Sequence, residues 1–453
     1  MLGLILAIII TGIVAKMVYG RYKPQAVLMF GGIVLMFLAV AFGLGSILAE
    51  EKSTGFILFD IFEFMKLTFS NRAGGLGLTI MSVAGFAKYM DHIGASNQLV
   101  KIAIKPLEKV HAPYVVLALS YIVGQILNIF IPSASGLGVL LMVTMYPILV
   151  SLGVSKLSAT AVAGTAACLD LGPGSGNSNL AATTAGMDVS IYFVKYQIPI
   201  AIAVMITIAV LHYIVQKRFD SKMENKDDST EYTLDNKKEE KAPTIYAILP
   251  MIPLFLILVF SKLLITTIKM NVVTAMLIGI FVSLVFEVIR LKNVKKVFES
   301  IQVFFDGMGM QFAKVVTLIV AGQTFAQGLI SVGAIDTLIS GAQSLGYGAN
   351  IMIIVMTAII SVSAVVMGSG NAPFFAFASL APNVAAQTGI APVLMLLPMQ
   401  FASGIARSVS PITGVIVAVS GVAEISPFDL VKRTAIPMAG ALLVTIIANF
   451  IVF

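Results

Sequence analysis

Long apolar runs recur along the whole chain and set the strongest limit on how it can fold. Residues 2–15, 27–44, 115–131 and 201–215 are each predominantly apolar. Each run is close to the ~20 residues that an α-helix needs to cross the hydrocarbon core of a bilayer. The strands of an outer-membrane barrel would instead alternate between apolar and polar residues over about ten positions. The sequence therefore predicts an all-α integral membrane protein that crosses the lipid bilayer many times.

The composition excludes a soluble enzyme. Only 11% of the residues are charged and 58% are hydrophobic, whereas roughly 25% of the residues in soluble proteins are charged. The net charge of +7 does not indicate a nucleic-acid partner, because the basic residues stand at the ends of apolar runs, where the positive-inside rule places them. Cys168 is the only cysteine, which excludes an intrachain disulfide and favours a small buried residue there.

A highly charged segment divides the chain into two similar halves. Residues 217–241 contain seven basic and eight acidic side chains and cannot lie in lipid. We therefore predict a first repeat over 1–216, a solvated linker over 217–243 and a second repeat over 244–453. Phe86-Ala87 and Gly94-Ala95 recur as Phe325-Ala326 and Gly333-Ala334, at one constant offset. Such self-similarity indicates an internal repeat.

The distribution of basic residues predicts how the two halves are oriented. Clusters near residues 16–23, 101–109, 217–222, 290–296 and 432–433 are expected on the inner side. This arrangement requires five crossings in each half, so the second repeat starts from the opposite face and is inverted. The linker is then cytoplasmic and both termini lie outside. Segments 56–69 and 294–305 are predicted to lie flat at the interface.

Four of the predicted spans are interrupted by Gly, Pro, Ser and Asn. We expect re-entrant hairpin tips near 128–138 and 367–374, and broken helices near 170–179 and 406–414. In a helix interior Pro costs about 3 kcal/mol and Gly about 1 kcal/mol relative to Ala. Paired interruptions in two halves are the best sequence indication of a transporter's midplane site, where half-helix N-termini attract anions. The alternative is that the small residues serve close helix packing.

The breaks supply the candidate site residues. The predicted substrate-binding residues are Ser133, Ser135, Ser175, Asn177, Ser178, Asn179, Ser369, Asn371, Arg407, Ser408, Ser410 and Thr413. The hydroxyl groups could instead cap half-helices. Asn177 and Asn371 carry both donors and acceptors, and the fork of Arg407 matches a carboxylate of a small organic dianion.

Several charged or polar residues leave alternatives open. Arg407 either binds the substrate or pairs with Asp170. Asp170 is that partner, a ligand of a coupling cation or a proton carrier, and Asn128 is a second candidate for the coupling ion. Lys88 and Asp91 stand near the inner end of a helix, and we interpret them as interfacial residues, with a proton relay as the alternative.

Residues 169–179, the tip at 368–373 and the break at 407–413 together resemble the DcuC family of anaerobic C4-dicarboxylate carriers, over nearly the whole chain. The resemblance implies a secondary carrier of succinate, fumarate or malate in the bacterial inner membrane. It also implies an inverted-repeat, two-hairpin fold, a homodimer, and no cofactor beyond a coupling proton or sodium ion. The Ser-Asn-Thr signature of the sodium-dicarboxylate branch of the wider superfamily is absent from both tips, which favours proton coupling or exchange. A carbonyl-lined sodium site needs no such signature.

The same sequence features are compatible with other functions. A carrier of another organic anion, such as a monocarboxylate or an amino acid, would use a similar site. A channel would use similar broken helices, but two inverted halves favour a carrier. A hydrolase is disfavoured, because position 173 is proline where a Gly-x-Ser-x-Gly nucleophile elbow around Ser175 would need glycine.

Overall fold

The computed structural model describes residues 2–222, 242–334, 337 and 348–453, which form helices joined by turns. In the first half the helices are α1 (Leu2–Tyr19), α2 (Pro24–Ala41), α3 (Ile57–Arg72), α4 (Leu78–His92), α5 (Ala95–Ile104), α6 (Pro113–Phe130), α7 (Ala134–Thr144), α8 (Tyr146–Ser151), α9 (Lys156–Thr165), α10 (Gly176–Thr184), α11 (Val189–Ile191) and α12 (Ile198–Asp220). In the second half they are α13 (Ile252–Val259), α14 (Val272–Leu291), α15 (Val294–Ser300), α16 (Gln302–Gln311), α17 (Thr317–Ser331), α18 (Ala349–Met367), α19 (Asn371–Phe377), α20 (Ala381–Thr388), α21 (Pro392–Arg407), α22 (Gly414–Ala423) and α23 (Pro427–Val452).

Short helical segments of other types connect some of these helices. Turns of 3₁₀-helix span Glu50–Lys52, Lys105–Lys109, Thr244–Met251 and Ala378–Leu380. Turns of π-helix span Ala73–Gly77, Tyr192–Gln197 and Phe312–Val316. The π turns join α3 to α4, α11 to α12 and α16 to α17, and such turns are frequent at functional sites.

The all-α membrane fold is confirmed. Within the described residues, eight helical segments are long and apolar enough to span a bilayer: Leu2–Tyr19, Pro24–Ala41, Pro113–Phe130, Val189–Asp220, Val272–Leu291, Val294–Ser331, Ala349–Met367 and Pro427–Val452. Proline stands at the first helical position of α2, α6, α21 and α23, where its missing N–H is not needed.

Several described elements of the first half recur in the second at nearly the same offset in the sequence. The π turn Ala73–Gly77 of the first half has a counterpart in Phe312–Val316 of the second, at the offset of the sequence repeat. The starts of α6 and α18, of α7 and α19, and of α10 and α22 are separated by nearly the same offset. Equivalent elements therefore follow one another in both halves. That one half is inverted relative to the other in the membrane stays a prediction.

The interruptions lie near the predicted places. The chain leaves helix between α6 and α7 at residues 131–133, and between α18 and α19 at residues 368–370. It also leaves helix between α9 and α10 and between α21 and α22. The first of these breaks covers residues 166–175, so it begins before the predicted segment, because Ala166 to Leu169 already depart from the helix. The second covers residues 408–413.

The structure moves the start of the predicted linker and shows which helices the two predicted interfacial segments form. The predicted linker starts at residue 217, but α12 continues to Asp220, and residues 223–241 lie outside the described residues. The segments predicted to lie flat at the interface form α3 and the α15–α16 region. Both continue through π turns into α4 and α17, and their orientation relative to the membrane stays a prediction.

A buried ion pair holds the ends of both halves together. Arg433 of α23 donates from Nη1 to Asp220 Oδ1 at 2.8 Å, and its guanidinium lies 4.7 Å from the ring centroid of Phe219. Ser155 and Ser158, at the start of α9, also donate to Asp220 Oδ1, at 2.7 and 2.9 Å. This network connects α9, α12 and α23. Because Arg433 is 2% exposed, it is a buried structural residue, in addition to belonging to a basic cluster that was used to predict the orientation of the chain.

Candidate functional site

The four interruptions converge on one cavity. Its volume is about 450 Å³, and it is bounded by both hairpin tips, both breaks and the side of α4. Of the fourteen candidate residues, nine line this cavity: Ser133, Ser135, Asp170, Ser175, Asn177, Ser369, Asn371, Arg407 and Thr413. Elements from both halves of the chain, far apart in sequence, therefore form one polar site.

Arg407 and Asp170 form a buried ion pair at the wall of this cavity. Arg407 Nη2 lies 2.8 Å from Asp170 Oδ1 and donates to the carbonyl of Ala167 at 2.6 Å. Their side chains are 9% and 8% exposed. Arg407 Nε is buried and has no hydrogen-bond partner among the described residues. Arg407 thus pairs with Asp170 and also lines the cavity, and its binding of substrate stays a prediction.

The backbone places these two charges at the breaks. Arg407 is the last residue of α21, and Asp170 follows α9 in the first break, with a φ of 50°. A left-handed conformation is unusual for a residue other than glycine and often accompanies a local hydrogen bond. Here Ser178 Oγ donates to the carbonyl of Asp170 at 2.8 Å, which fixes the turn.

Asn177 links the two halves beside the ion pair. Its Nδ2 donates to Asp170 Oδ2 at 2.8 Å and to Asn371 Oδ1 at 3.1 Å. Arg407 Nη1 donates to the same Asn371 oxygen at 3.5 Å. Asn177 Oδ1 is buried without a partner in the described structure. The two asparagines singled out in the sequence therefore meet at the centre of the site, and one acceptor is left unused.

Three hydroxyl groups combine capping with a place on the cavity wall. Ser133 Oγ accepts from Gly136 N at 3.1 Å, Ser175 Oγ from Ser178 N at 3.3 Å and Ser369 Oγ from Ala372 N at 3.3 Å. The capping alternative therefore holds for these serines. Because each lies at the start of a half-helix, the neighbouring backbone N–H groups also point toward the cavity end of that helix.

Five candidates do not line the cavity. These are Asn128, Ser178, Asn179, Ser408 and Ser410. Asn179 Nδ2 donates to the carbonyls of Pro173 and Ser175 at 2.7 and 2.8 Å, and Asn128 Nδ2 donates to that of Ile131 at 3.3 Å. Ser408 Oγ donates to the carbonyl of Gly404 at 3.1 Å. Such bonds satisfy backbone groups that the interruptions leave without helical partners, so Asn128, Asn179 and Ser408 shape the site. Ser410 Oγ is buried without a hydrogen-bond partner among the described residues.

A glutamine network behind the site was missed in the sequence. Gln400 Nε2 donates to the carbonyls of Leu169 and Asp170 at 3.2 and 3.0 Å. Its Oε1 accepts from Gln197 Nε2 and from the Tyr192 hydroxyl, both at 2.7 Å. Gln197 and Gln400 are fully buried. An amide inside an apolar run is costly unless it is hydrogen-bonded, and this is the signal that could have identified them.

Lys88 and Asp91 also line the cavity, near the end of α4, and their position at the membrane interface stays a prediction. Both belong to α4, whose cavity side is otherwise apolar, with Ile80, Val83 and Ala87. The cavity wall therefore carries two cationic and two anionic side chains, the other two being Arg407 and Asp170. The formal charge of this set is zero.

Small residues allow the elements of the site to pack closely. A Cβ added at Gly370 would overlap the carbonyl oxygen of Ser403, and one at Gly404 would overlap that of Cys168. The second hairpin tip thus rests on α21, and α21 rests on the first break. Among the described residues, no three His, Cys, Asp or Glu side chains come together as a metal-ligand set.

A comparison with protein families places the chain among carriers. The family model described as DcuC, C4-dicarboxylate anaerobic carrier, matches residues 2–453. The probable anaerobic C4-dicarboxylate transporter DcuC of Vibrio cholerae is 36% identical over 453 residues, which cover 100% of this chain and 98% of that protein. The anaerobic C4-dicarboxylate transporter DcuC of Escherichia coli K12 is 38% identical over 447 residues, which cover 98% and 95%.

Two solved structures show a similar fold. The YdaH transporter of Alcanivorax borkumensis, whose topology is described as unusual, superposes with a TM-score of 0.62 at 14% identity, covering 95% of this chain and 98% of that chain. MtrF of Neisseria gonorrhoeae, from a class of antimetabolite efflux pumps, superposes with a TM-score of 0.59 at 16% identity and 95% coverage of both chains. At such identities the similarity concerns the fold alone.

Proposed function

The chain belongs to the DcuC family of anaerobic C4-dicarboxylate carriers, which makes it a transporter and not an enzyme, and on this basis we propose where and how it binds its substrate. The substrate is a C4-dicarboxylate such as succinate, fumarate or malate. It binds in the cavity between the two hairpin tips and the two breaks. The volume of the cavity, about 450 Å³, is within the range of small-molecule sites.

The position of Arg407 carries this proposal. Its guanidinium lies at the cavity wall while Asp170 holds it from one side, and its buried Nε has no hydrogen-bond partner among the described residues. A guanidinium with free N–H groups in a buried site is suited to a carboxylate. Lys88, on the α4 side of the cavity, supplies the second positive charge that a dianion requires.

The charges of the cavity wall support coupling to cations. Lys88 and Arg407 are balanced by Asp91 and Asp170, so a bound dianion leaves two negative charges uncompensated in a partly buried site. Protons or sodium ions that bind together with the substrate would neutralise them. We therefore propose cation symport, with Asp91 and Asp170 as the carboxylates that receive the cations, and exchange of dicarboxylates as the alternative mode.

Movement of the hairpin-bearing elements would expose the site alternately to the two faces of the membrane. The distribution of basic residues supports an inner-membrane location in a bacterium, with the linker in the cytoplasm and both termini outside. A homodimer would hold the remaining helices as a fixed scaffold.

The experiment that tests the function is uptake of labelled succinate into proteoliposomes. Imposed pH or sodium gradients, and liposomes loaded with fumarate or with buffer alone, separate symport from exchange. We expect saturable uptake that responds to a gradient or to trapped fumarate. Absence of uptake under all of these conditions, together with uptake of a labelled monocarboxylate or amino acid, would contradict the dicarboxylate assignment.

A further inference from the structure

A second, smaller cavity lies between α3, α17 and the helical turn Ala378–Leu380. It has a volume of about 290 Å³. The polar residues that line it are Thr68, Asn71, Arg72, Gln323, Gln327 and Ser379. It is therefore an open recess with several polar residues in its wall, and none of its lining residues lines the substrate cavity.

The walls of the second cavity and of the substrate cavity contain residues at corresponding positions of the sequence repeat. The α17 residues in its wall are the repeat equivalents of four α4 residues in the wall of the substrate cavity. The pairs, all at the same offset in the sequence, are Ala84 and Gln323, Ala87 and Ala326, Lys88 and Gln327, and Asp91 and Ile330. Four positions in the wall of the substrate cavity thus have their repeat equivalents in the wall of the second cavity.

The helices that precede the two π turns follow the same correspondence. Asn71 and Arg72 line the second cavity, and their equivalents at the same offset, Met310 and Gln311, line the substrate cavity. Two pairs of helices, α4 with α17 and α3 with α16, therefore supply residues to the two cavity walls at the same offset in the sequence. In an inverted repeat, equivalent places in the two halves face opposite sides of the membrane.

The second hairpin separates the two cavities. Residues Ser369 to Asn371 and Phe375 line the substrate cavity, whereas Ser379, a little further along the chain, lines the second one. Gly322 of α17 packs directly against Phe375 and Ala376 of this hairpin. The second hairpin and the turn that follows it therefore contribute residues to both cavity walls.

Arg72 gives the second cavity a positive charge. Its Nε donates to Gln323 Oε1 at 2.8 Å, and among the described residues no acidic side chain lines the cavity or pairs with Arg72. Ser379 Oγ is buried without a partner in the same part of the structure. A guanidinium without a carboxylate, next to unused polar atoms, is an environment that favours an organic anion.

We propose that this second cavity is the access vestibule on the opposite membrane face, and that Arg72 attracts the dicarboxylate there when the site opens to that side. The inference rests on the proposed carrier function. It assigns α4 to the vestibule on one face and α17 to the vestibule on the other, with Arg72 as the anion-attracting residue of the second vestibule.

Matched cysteines at Ala87 and Ala326 test the placement. Cys168 is the only native cysteine and is buried, so Cys168→Ala provides a background without thiols, and Ala87→Cys and Ala326→Cys each add one. A membrane-impermeant anionic thiol reagent is applied to right-side-out and to inverted vesicles. We expect labelling of Ala87→Cys from the cytoplasmic face and of Ala326→Cys from the outer face. If the Ala326→Cys protein is not recovered, Gln327→Cys takes its place.

The role of Arg72 is tested by Arg72→Gln, with Lys66→Gln as the matched control. Lys66 lies on the same helix, is exposed and pairs with Glu63, so this change removes the same charge outside the cavity. For Arg72→Gln we expect KM at the outer face to rise roughly tenfold, which is the scale on which a charged cleft raises association rates. KM at the cytoplasmic face, and both KM values of Lys66→Gln, should stay within about twofold of the unmodified chain.

The outcomes separate this inference from the carrier assignment. Labelling of both cysteines from the same face, or no labelling of Ala326→Cys and Gln327→Cys from either face, overturns the vestibule. Equal effects of Arg72→Gln and Lys66→Gln on KM overturn the role of Arg72. Opposite-face labelling in a protein that transports no dicarboxylate would retain the vestibule and reject the substrate instead.

Discussion

Arg407 Nη2 lies 2.8 Å from Asp170 Oδ1, so a break of the second half is paired with the equivalent region of the first. The same carboxylate accepts from Asn177 Nδ2 through its other oxygen, at 2.8 Å. Each half therefore supplies one charge to a buried pair, and neither half can form the site alone. This mutual dependence determines how changes at the site are expected to act.

Single and double changes at the ion pair should differ in their effects on stability. Arg407→Ala or Asp170→Ala leaves one buried charge without its partner, which costs about 3–5 kcal/mol. The double change removes both charges, so we expect the thermal midpoint in detergent to recover at least half of the loss. All three variants should fail to transport succinate. A double variant that loses as much stability as the two single changes combined would show that the residues act independently.

Lys88→Gln should weaken dicarboxylate binding. Loss of a charge-assisted hydrogen bond to a carboxylate corresponds to about 1.5 kcal/mol or more, so we expect KM for succinate to rise roughly tenfold. Lys101→Gln is the matched control, because Lys101 is exposed on α5 and does not line the cavity. Equal KM values for the two variants would remove Lys88 from the site.

Gly404→Ala should disturb the first break. A Cβ at this position overlaps the carbonyl oxygen of Cys168, whereas a Cβ at Gly421 meets nothing within 4 Å. Overpacking of this kind costs about 1–3 kcal/mol. We expect a lower thermal midpoint and slower transport for Gly404→Ala, and neither effect for Gly421→Ala. Wild-type transport by Gly404→Ala would mean that α21 does not set the position of the break.

Asp220→Asn should reduce stability without changing substrate affinity. The change removes the partner of Arg433 in a buried pair, which costs about 3–5 kcal/mol, but the pair does not belong to the wall of the substrate cavity. Asp429→Asn removes one partner of an exposed pair and should change the free energy of unfolding by less than about 1 kcal/mol. A changed KM for Asp220→Asn would connect this pair to the site.

The fold and the positions of the helix interruptions could be predicted from the sequence. Apolar runs identify membrane helices by length alone, and Pro173 or Gly368 interrupts such a run with a local energetic cost that is visible without any structure. The internal repeat in the sequence predicts the second pair of breaks from the first. These signals are local or periodic, so they can be recognised in a single sequence.

The partners of buried polar groups could not be predicted in the same way. Lys88 and Asp91 stand near a helix end, and the sequence does not distinguish an interfacial position from the wall of a cavity that other elements close. The sequence identifies Arg433 only as a basic residue near a membrane face, because its partner Asp220 lies in the other half of the chain. The place of Gln400 behind the site depends likewise on how distant helices pack.

Uptake of labelled succinate by reconstituted wild-type protein and by the Arg407→Ala variant tests the central claim most directly. Equal incorporation of the two proteins into liposomes is established first by quantifying them in the vesicle fraction. We predict saturable uptake by the wild-type protein and none above empty liposomes for Arg407→Ala. Uptake by Arg407→Ala with an unchanged rate and KM would contradict the assignment of the cavity as the dicarboxylate site.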